Sequence, residues 1–369
     1  MKVLILEPYY GGSHRAFIDT FLRHTKHDCV LLTLPARKWK WRMRGAALWF
    51  AEQLAGNAVR PDVIFTCDML SVADLRALLP AGWQTIPVVC YFHENQLTYP
   101  LSDHDFRDFQ YGMTNITSCL ASDRVWFNSN CHREAFLEAA STLLAKMPDH
   151  IPGNLIPRIR RRSDVHYPPV EPRTSQRQPT AAEAPDHPPA ILWPHRWEYD
   201  KNPQPFFDAL LWMKEKGVPF RLIILGEQFR TAPTVFADAC RSLQSHVWHE
   251  GFVEDHAAYL EWVGRADFVV STAIQENFGI AVVEAMLAGA YPILPGRLSY
   301  PELLPSAVHG EILYPDSAVL GEWIANCLQK SEANRRDTLG LIQAWLADLC
   351  HPDVAVGGMD DGLLQLLQG

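Results

Sequence analysis

The chain of 369 residues is 48% hydrophobic and 20% charged, which supplies apolar material for two cores and excludes global disorder. No run approaches the roughly 18 uncharged apolar residues of a membrane span, and the eight cysteines contain no CxxC pair, which points to reduced thiols in a cytoplasmic protein rather than to disulfides or a zinc site. The net charge of −9 is uneven: residues 1–170 hold 19 Lys+Arg against 16 Asp+Glu, or +3, and the remainder holds 14 against 26, or −12, so a polyanionic partner belongs with the first half.

Short apolar runs alternate with helical patterns, the rhythm of parallel βα units. The first, at 2–8, meets an acid at Glu7 after four apolar residues and reads as a strand, not a signal peptide. Further strands are expected at 28–34, 62–67, 87–93 and 124–128, with helices at 14–24, 45–56, 106–121 and 131–146. Residues 171–189 contain five prolines and only alanine as an apolar side chain, which reads as a linker. A second series follows, with strands near 190–194, 220–225, 247–249, 268–273 and 291–295. Its helices fall near 203–216, 233–244, 256–265, 279–288, 317–329 and 334–348. The organisation expected is a domain over 1–170, the linker, a second domain over 190–350, and a C-terminal tail over 351–369, read as helical. Two doubly wound domains place a ligand cleft at their strand carboxyl ends.

The chemistry-bearing residues follow strands. Gly11 and Gly12, with Ser13 and His14 after them, let the backbone pass close to a ligand at a helix start, which favours an anion. They lack the GxGxxG spacing of a dinucleotide site, and a plain tight turn has the same composition. Arg37-Lys38-Trp39-Lys40-Trp41-Arg42-Met43-Arg44 has five cations, two tryptophans and no acid. Cations neutralise phosphates and indoles stack on bases, a single-stranded nucleic-acid signature. A membrane-surface patch or an amphipathic helix start fits the same residues. Arg158-Ile159-Arg160-Arg161-Arg162 is a second basic run. His93, Glu94, Asn95 and Gln96, in a row after an apolar strand, suit hydroxyl binding or acceptor positioning. No second histidine at ligand spacing accompanies His93, so no metal site is expected.

In the second half, Arg196 and Lys201 bracket a loop before a helix, where two permanent cations grip a diphosphate, although Glu198 or Asp200 are ready salt-bridge partners. Gly226 ends one strand, and the segment from Val247 to Val253 resembles it; such loops hold a nucleobase through backbone groups or are ordinary turns. Glu276 and Glu284 stand eight residues apart across a strand-to-helix loop that also contains Asn277, Phe278 and Gly279. A helix start suits phosphate and the carboxylates accept from hydroxyls, which together describe a nucleotide-sugar. Acids that merely complement the helix dipole are the plainer reading.

Glu276 and Glu284 with seven residues between them, Arg196 and Lys201 with four, and two βα halves resemble the retaining glycosyltransferases of family 4, which have the GT-B fold. The resemblance implies an α/β architecture of two doubly wound Rossmann-like domains facing a central cleft. It implies a ribose ligand in Glu284, a donor-sugar site in Glu276, Asn277, Phe278 and Gly279, and phosphate ligands in Arg196 and Lys201. Gly11 and Gly12 would approach phosphates or acceptor, and Gly226 and Val253 would join the donor site. His93 would face the sugar, making His93, Arg196, Lys201 and Glu276 the catalytic set, with retention at the anomeric carbon and no metal. His195 stands where the family commonly has a glycine before the arginine, and Asn277 replaces a common glycine.

The strings Glu7-Pro8-Tyr9-Tyr10-Gly11-Gly12-Ser13-His14, Trp39-Lys40-Trp41-Arg42-Met43-Arg44, Phe92-His93-Glu94-Asn95-Gln96-Leu97 and Pro194-His195-Arg196-Trp197-Glu198 look like the tRNA-queuosine alpha-mannosyltransferase subfamily. That subfamily moves mannose from GDP-mannose to the queuosine base of a tRNA anticodon. The resemblance implies a queuosine-containing tRNA and a nucleotide-sugar as partners, no further cofactor and no membrane insertion. Acceptor contacts would then come from Ser13, His14, Arg37, Lys38, Trp39, Lys40, Trp41, Arg42, Arg44, His93, Glu94, Asn95 and Gln96. A family 4 transferase that uses a lipid or polysaccharide acceptor and another nucleotide-sugar is the alternative.

Overall fold

The structure, a computed structural model, describes residues 1–56, 60–100, 108–172, 187–228 and 233–368. The chain divides into two compact units, Met1–Pro169 with Pro352–Gly369, and Val170–His351. Most of the expected linker at 171–189 lies outside the described residues.

The first unit is built on strands β1 (Lys2–Tyr10), β2 (Asp28–Pro35), β3 (Val63–Cys67), β4 (Val88–Phe92), β5 (Arg124–Phe127) and β6 (Ser163–Val165). All pair in parallel, in the order β2-β1-β3-β4-β5-β6. Alternate residues serve opposite cores. Leu4, Leu6, Ile64, Val88, Cys90 and Phe92 join the helices Trp39–Leu54, Phe109–Ala121 and Asn130–Leu144. Val3, Ile5, Phe65, Val89 and Tyr91 join the helices Gly12–His24 and Pro352–Gln365. Burial on both faces is why the strands read as continuous apolar runs rather than alternating ones.

The C-terminal segment is part of this unit. Its helix contributes Val356, Met359 and Leu363 to the second core, and Asp360 accepts hydrogen bonds from Thr25 Oγ1 at 2.6 Å and Lys26 N at 2.9 Å. The helix expected from 45 begins at Trp39. Three short elements of this unit went unread, the helices Val72–Leu78 and Leu155–Arg161 and the strand β6, because seven residues or fewer carry too little periodicity to separate from a loop.

The second unit repeats the plan with β7 (Ala190–Pro194), β8 (Arg221–Leu225), β9 (Val247–Gly251), β10 (Phe268–Val270), β11 (Tyr291–Pro295) and β12 (Leu313–Tyr314), in the order β12-β11-β10-β7-β8-β9. The helix after β7, Pro203–Glu215, packs with Val235–Ser242 and Leu320–Leu328, whereas the helix after β10, Ile280–Leu287, packs with Glu332–Cys350. The chain therefore leaves neighbouring strands β7 and β10 in opposite directions, which opens a crevice at their carboxyl ends. In the first unit β1 and β3 diverge in the same way, into Gly12–His24 and Val72–Leu78.

One glycine is dictated by this arrangement. Gly226, directly after β8, has φ of 136°, and a Cβ there would lie 1.9 Å from the carbonyl oxygen of His195. The close approach aligns the loop after β8 with the loop after β7. Gly217 also has positive φ, at 69°, but faces open space. Gly226→Ala is expected to cost about 3 kcal/mol or more, whereas Gly217→Ala costs about 1 kcal/mol. Urea unfolding of the two variants checks the difference.

Candidate active site

In the second unit the crevice between β7 and β10 is stitched by backbone first. Ile274 N and Gln275 N both donate to the Asp200 carbonyl, at 2.9 and 3.3 Å, and Thr272 Oγ1 donates to the Lys201 carbonyl at 3.0 Å. These bonds lay the loop after β7 against the loop after β10, and the side chains follow. Lys201 is buried, and its Nζ meets the Gln275 carbonyl at 2.9 Å, Glu276 Oε2 at 3.3 Å and Asp200 Oδ2 at 3.2 Å. Burial alone would lower the lysine; Glu276 and Asp200 reverse this and raise it, so it stays charged.

Arg196 stands at the rim, half-exposed, with Nη2 3.1 Å from Glu198 Oε2. The salt-bridge partners that the residue order suggested, Asp200 and Glu198, are therefore both real. A third cation went unread: Arg297, beyond β11, donates to the carbonyls of Thr272 and Ala273. The Pro295-Gly296-Arg297 string after an apolar strand was its only signal.

The helix Ile280–Leu287 starts beside Lys201. Its N-cap is Gly279 at φ of 95°, without a side-chain cap and without an acid in the first turn. The plainer reading of Glu276 and Glu284 as dipole partners in that turn therefore does not hold. Glu276 lies ahead of the helix on Lys201, and Glu284 lies a turn into it, where its Oε2 accepts from Tyr259 OH at 2.9 Å. Burial raises the Glu284 carboxyl to about 7, against the Tyr259 bond. Phe278 is buried and its carbonyl accepts from Ser299 Oγ at 3.1 Å. Asn277 accepts from Gln275 Nε2 at 3.1 Å. His195 is buried against Trp193, with its ring held neutral by burial and by Lys201 and Arg196. Gly226 touches the His195 carbonyl region, and Val253 is half-buried two residues beyond β9.

The crevice of the first unit brings together residues from three strand ends. Glu7, buried at the end of β1, accepts from Tyr9 N at 2.8 Å, and its Oε1 lies 3.3 Å from both His14 Nδ1 and Cys67 Sγ. His14 stacks on His93, with centroids 4.0 Å apart and planes at 34°. Burial would lower His14, but Glu7, Asp68 and Glu94 outweigh it and raise it to about 9; burial, His14 and His132 push His93 well below its ordinary value. A charged ring thus lies against a neutral one.

His14 is the second histidine that sequence spacing did not reveal, and Glu7, His14 and His93 together have the donor set of a metal site. Within that set the Glu7 oxygen is engaged by His14 Nδ1 itself at 3.3 Å, an ion pair that the raised His14 favours. Gly11 abuts Ala36, whose Cβ would lie 2.5 Å from an added Cβ, and Gly12 has φ of 53°; Ser13 is exposed in the first turn of the helix. Asn95 is buried and organises its own loop, accepting from Leu97 N and Thr98 N. Glu94 accepts from Gln96 Nε2 at 3.1 Å.

The basic segment sorts by helix face. Arg37, Lys38, Lys40, Trp41 and Arg44 are exposed, and Trp41 lies over Gly45 with its outer face open, 61% exposed. Trp39 packs on Tyr111 at 5.0 Å. Arg42 turns inward and donates to the Pro35 carbonyl through Nε and Nη2, which corrects its grouping with the solvent-facing cations. The run at 158–162 is largely structural: Arg160 pairs with Glu134 at 2.7 Å, and Arg162 donates to the carbonyls of Leu120 and Ser122.

Comparison with known proteins agrees with this geometry. Residues 2–170 match the family described as tRNA-queuosine alpha-mannosyltransferase N-terminal, and residues 174–337 match glycosyl transferases group 1. A Drosophila melanogaster protein named tRNA-queuosine alpha-mannosyltransferase is 37% identical over 332 residues, 88% of this chain and 86% of that protein. The Anabaena protein HepE, in complex with UDP-glucose, shares the fold with a TM-score of 0.70 at 14% identity, over 100% of this chain and 99% of that one. So does an alpha,alpha-trehalose-phosphate synthase (UDP-forming) from Burkholderia xenovorans, in complex with glucose-6-phosphate, with a TM-score of 0.70 at 13% identity over 100% of both chains. The two six-stranded parallel sheets are those of the GT-B glycosyltransferases, and the chain belongs to the tRNA-queuosine alpha-mannosyltransferase family.

Proposed function

We propose that this protein is a retaining mannosyltransferase that moves mannose from GDP-mannose to the queuosine base in a tRNA anticodon. The observation that carries the reading is the contact of Lys201 with Glu276 across the ends of β7 and β10, beside the uncapped start of Ile280–Leu287. A cation, a carboxylate and open helix-start amides within one crevice match a diphosphate joined to a hydroxylated sugar. Glu284, a turn further on, takes the ribose hydroxyls. The mannose donor and queuosine acceptor come from the name of the Drosophila relative and from the resemblance that the first-half strings carry. Eight free cysteines agree with a cytoplasmic site of action. Among the described residues no helix is long and apolar enough to cross a membrane.

In the reaction the anomeric carbon–oxygen bond to the diphosphate breaks, and a bond from the anomeric carbon to an acceptor hydroxyl oxygen forms on the same face. The acceptor proton passes to the departing phosphate oxygen. This chain's part is to hold charge on that phosphate with Arg196, Lys201 and the helix start, and to steady the cationic sugar with Glu276. His93 is assigned to the sugar by the resemblance. No metal is needed where side-chain cations neutralise the leaving group.

Arg196 is the cleaner test of the phosphate role, because removing Lys201 would strand the buried Asp200 and Glu276. Arg196→Ala is expected to lower kcat about 100-fold with the unfolding temperature unchanged. Near-normal turnover would remove the arginine from the mechanism.

The exposed face of the basic segment supports an RNA acceptor. Trp41→Ala is expected to weaken tRNA binding about tenfold, the scale of one lost base stack, without changing GDP affinity; a filter-binding titration at two salt concentrations reads it. Binding to anionic vesicles in place of tRNA would favour the lipid acceptor.

The raised carboxyl of Glu284 sets a pH dependence. Its charged form is the better acceptor for ribose hydroxyls, so donor affinity should rise as pH increases through about 7 and level off above it. In Glu284→Gln the affinity should be lower and nearly flat with pH. Calorimetric titration with GDP from pH 6 to pH 8 checks both.

A further inference from the structure

The loop that presents His93 begins where the strand ladder ends. β4 lies between β3 and β5, and Phe92 opposite Phe127 is its last pair on the β5 side. Beyond that pair, side chains take the place of strand neighbours. The His93 N–H donates to Asp68 Oδ1 at 2.8 Å, from the residue after β3. The His93 carbonyl accepts from Asn128 Nδ2 at 2.9 Å, from the residue after β5. The far end of the loop has its own anchor, where Gln96 N donates to Asn115 Oδ1 at 3.0 Å.

Asn128 is held in turn. It is buried, and its Oδ1 lies 2.7 Å from His132 Nδ1. A carbonyl only accepts, so the amide must turn its NH2 towards His93 and its oxygen towards His132. That oxygen also only accepts, so His132 has its proton on Nδ1. This tautomer leaves Nε2 as a bare acceptor, and Nε2 is buried with no hydrogen-bond partner among the described residues. His132 sits in the first turn of Asn130–Leu144, where its N–H donates to the cap Ser129 Oγ at 3.0 Å. Its ring lies edge-on to Phe92 and Phe127, the nearer at 5.2 Å. Burial pushes it down to about 3, so it stays neutral and the two bonds keep one direction. An idle buried nitrogen costs stability, and a phenylalanine between Phe92 and Phe127 would avoid that cost. What the histidine adds is the orientation of the Asn128 amide.

We propose that Asn128 and His132 are positioning residues for the transfer reaction: His132 orients the Asn128 amide, and Asn128 fixes the backbone of His93, so that the His93 imidazole is presented to the sugar in one place. Neither residue touches substrate. The helix Asn130–Leu144 thereby acts on a loop that precedes it by a whole βα unit. Because Asp68 and Asn115 hold the loop independently, loss of the Asn128 bond loosens His93 without releasing the loop.

The inference rests on the transferase reading, and the test separates the two. Initial rates of transfer from GDP-mannose to queuosine-containing tRNA are compared for the wild type, Asn128→Ala, His132→Phe and the double variant. Asn128→Ala should lower kcat about tenfold, the kinetic equivalent of one lost buried hydrogen bond, with the KM for GDP-mannose unchanged. His132→Phe keeps the packing but frees the amide, and should lower kcat about threefold, less than loss of the bond itself. The double variant should be no slower than Asn128→Ala alone, because His132 acts only through Asn128. Asn128→Asp is nearly isosteric but has no N–H for the His93 carbonyl, and should be at least as slow as Asn128→Ala. Unfolding temperatures identify any variant that merely fails to fold, in which case His132→Phe bears the test. In parallel, nitrogen NMR of histidine-labelled full-length protein should show one ring, missing in His132→Phe, that stays protonated on Nδ1 and bare on Nε2 from about pH 6 to about pH 8.

An unchanged kcat in Asn128→Ala would overturn the proposal. Losses that multiply in the double variant would also overturn it, by making the two residues independent packing elements. So would a His132 proton on Nε2, which reverses the amide. No transfer by the wild type would sink the functional reading instead, and the NMR would still decide the tautomer on which the clamp depends.

Discussion

A buried lysine between two carboxylates is the interaction on which the second unit's site depends. Lys201 has three protons, and Gln275, Glu276 and Asp200 take them. Bringing the ammonium out of water is costly, and the two acids offset that cost only because the backbone already pins the two loops through Asp200 and Thr272. The lysine therefore cannot be regarded as a free cation awaiting phosphate. It fixes Glu276, while Arg196 stands half-exposed at the rim, paired with Glu198. One permanent charge is locked inside the crevice and the other lies at its edge.

The first unit solves a different problem with different groups. Its crevice holds a charged His14 against a neutral His93, over a floor of Glu7 and Asp68. Neighbouring acids raise His14 to about 9 while burial and His14 push His93 down, whereas the guanidinium and ammonium of the second unit keep their charge throughout. A diphosphate calls for constant charge. A loop that must present a neutral imidazole calls for neighbours whose protons can be set, and stacking His93 on an imidazolium keeps it neutral at the pH where His14 is charged.

How much of this the amino-acid order revealed depends on sequence distance. Arg196 with Lys201, and Glu276 with Glu284, are local pairs at strand-to-helix junctions, so spacing alone exposed them, and the strand ends were legible as apolar runs. The Glu7, His14, Asp68 and His93 cluster was not. Its members sit in β1, in the next helix, after β3 and after β4, and only the crossovers of the sheet bring them together. Arg42 was grouped with its exposed neighbours because the helix was expected to begin at 45; once it begins at Trp39, residues 39, 42, 43 and 46 share the inward face. The place of the C-terminal helix in the first unit escaped for a related reason. Its apolar residues match a core made by β1 and β3, some 290 or more residues earlier, and no local pattern announces such a partner.

The charge distribution ties the two halves of the chemistry together. The second unit lies in the strongly acidic part of the sequence, yet its proposed ligand is an anion. Screening resolves the conflict: surface charges act over about a Debye length, roughly 8 Å at physiological ionic strength, while Lys201, Arg196 and the helix start act at contact in a poorly solvated crevice. A nucleotide's few charges are met there at short range. A polyanion such as tRNA spreads its charge over many Debye lengths and experiences the surface as a whole, so the same acidity that a diphosphate can ignore discourages RNA from covering the nucleotide site. The exposed Arg37, Lys38, Lys40 and Arg44 beside Trp41 then give the polyanion a place to go. On the proposed reading, net acidity and local basicity would sort the nucleotide-sugar and the tRNA by size.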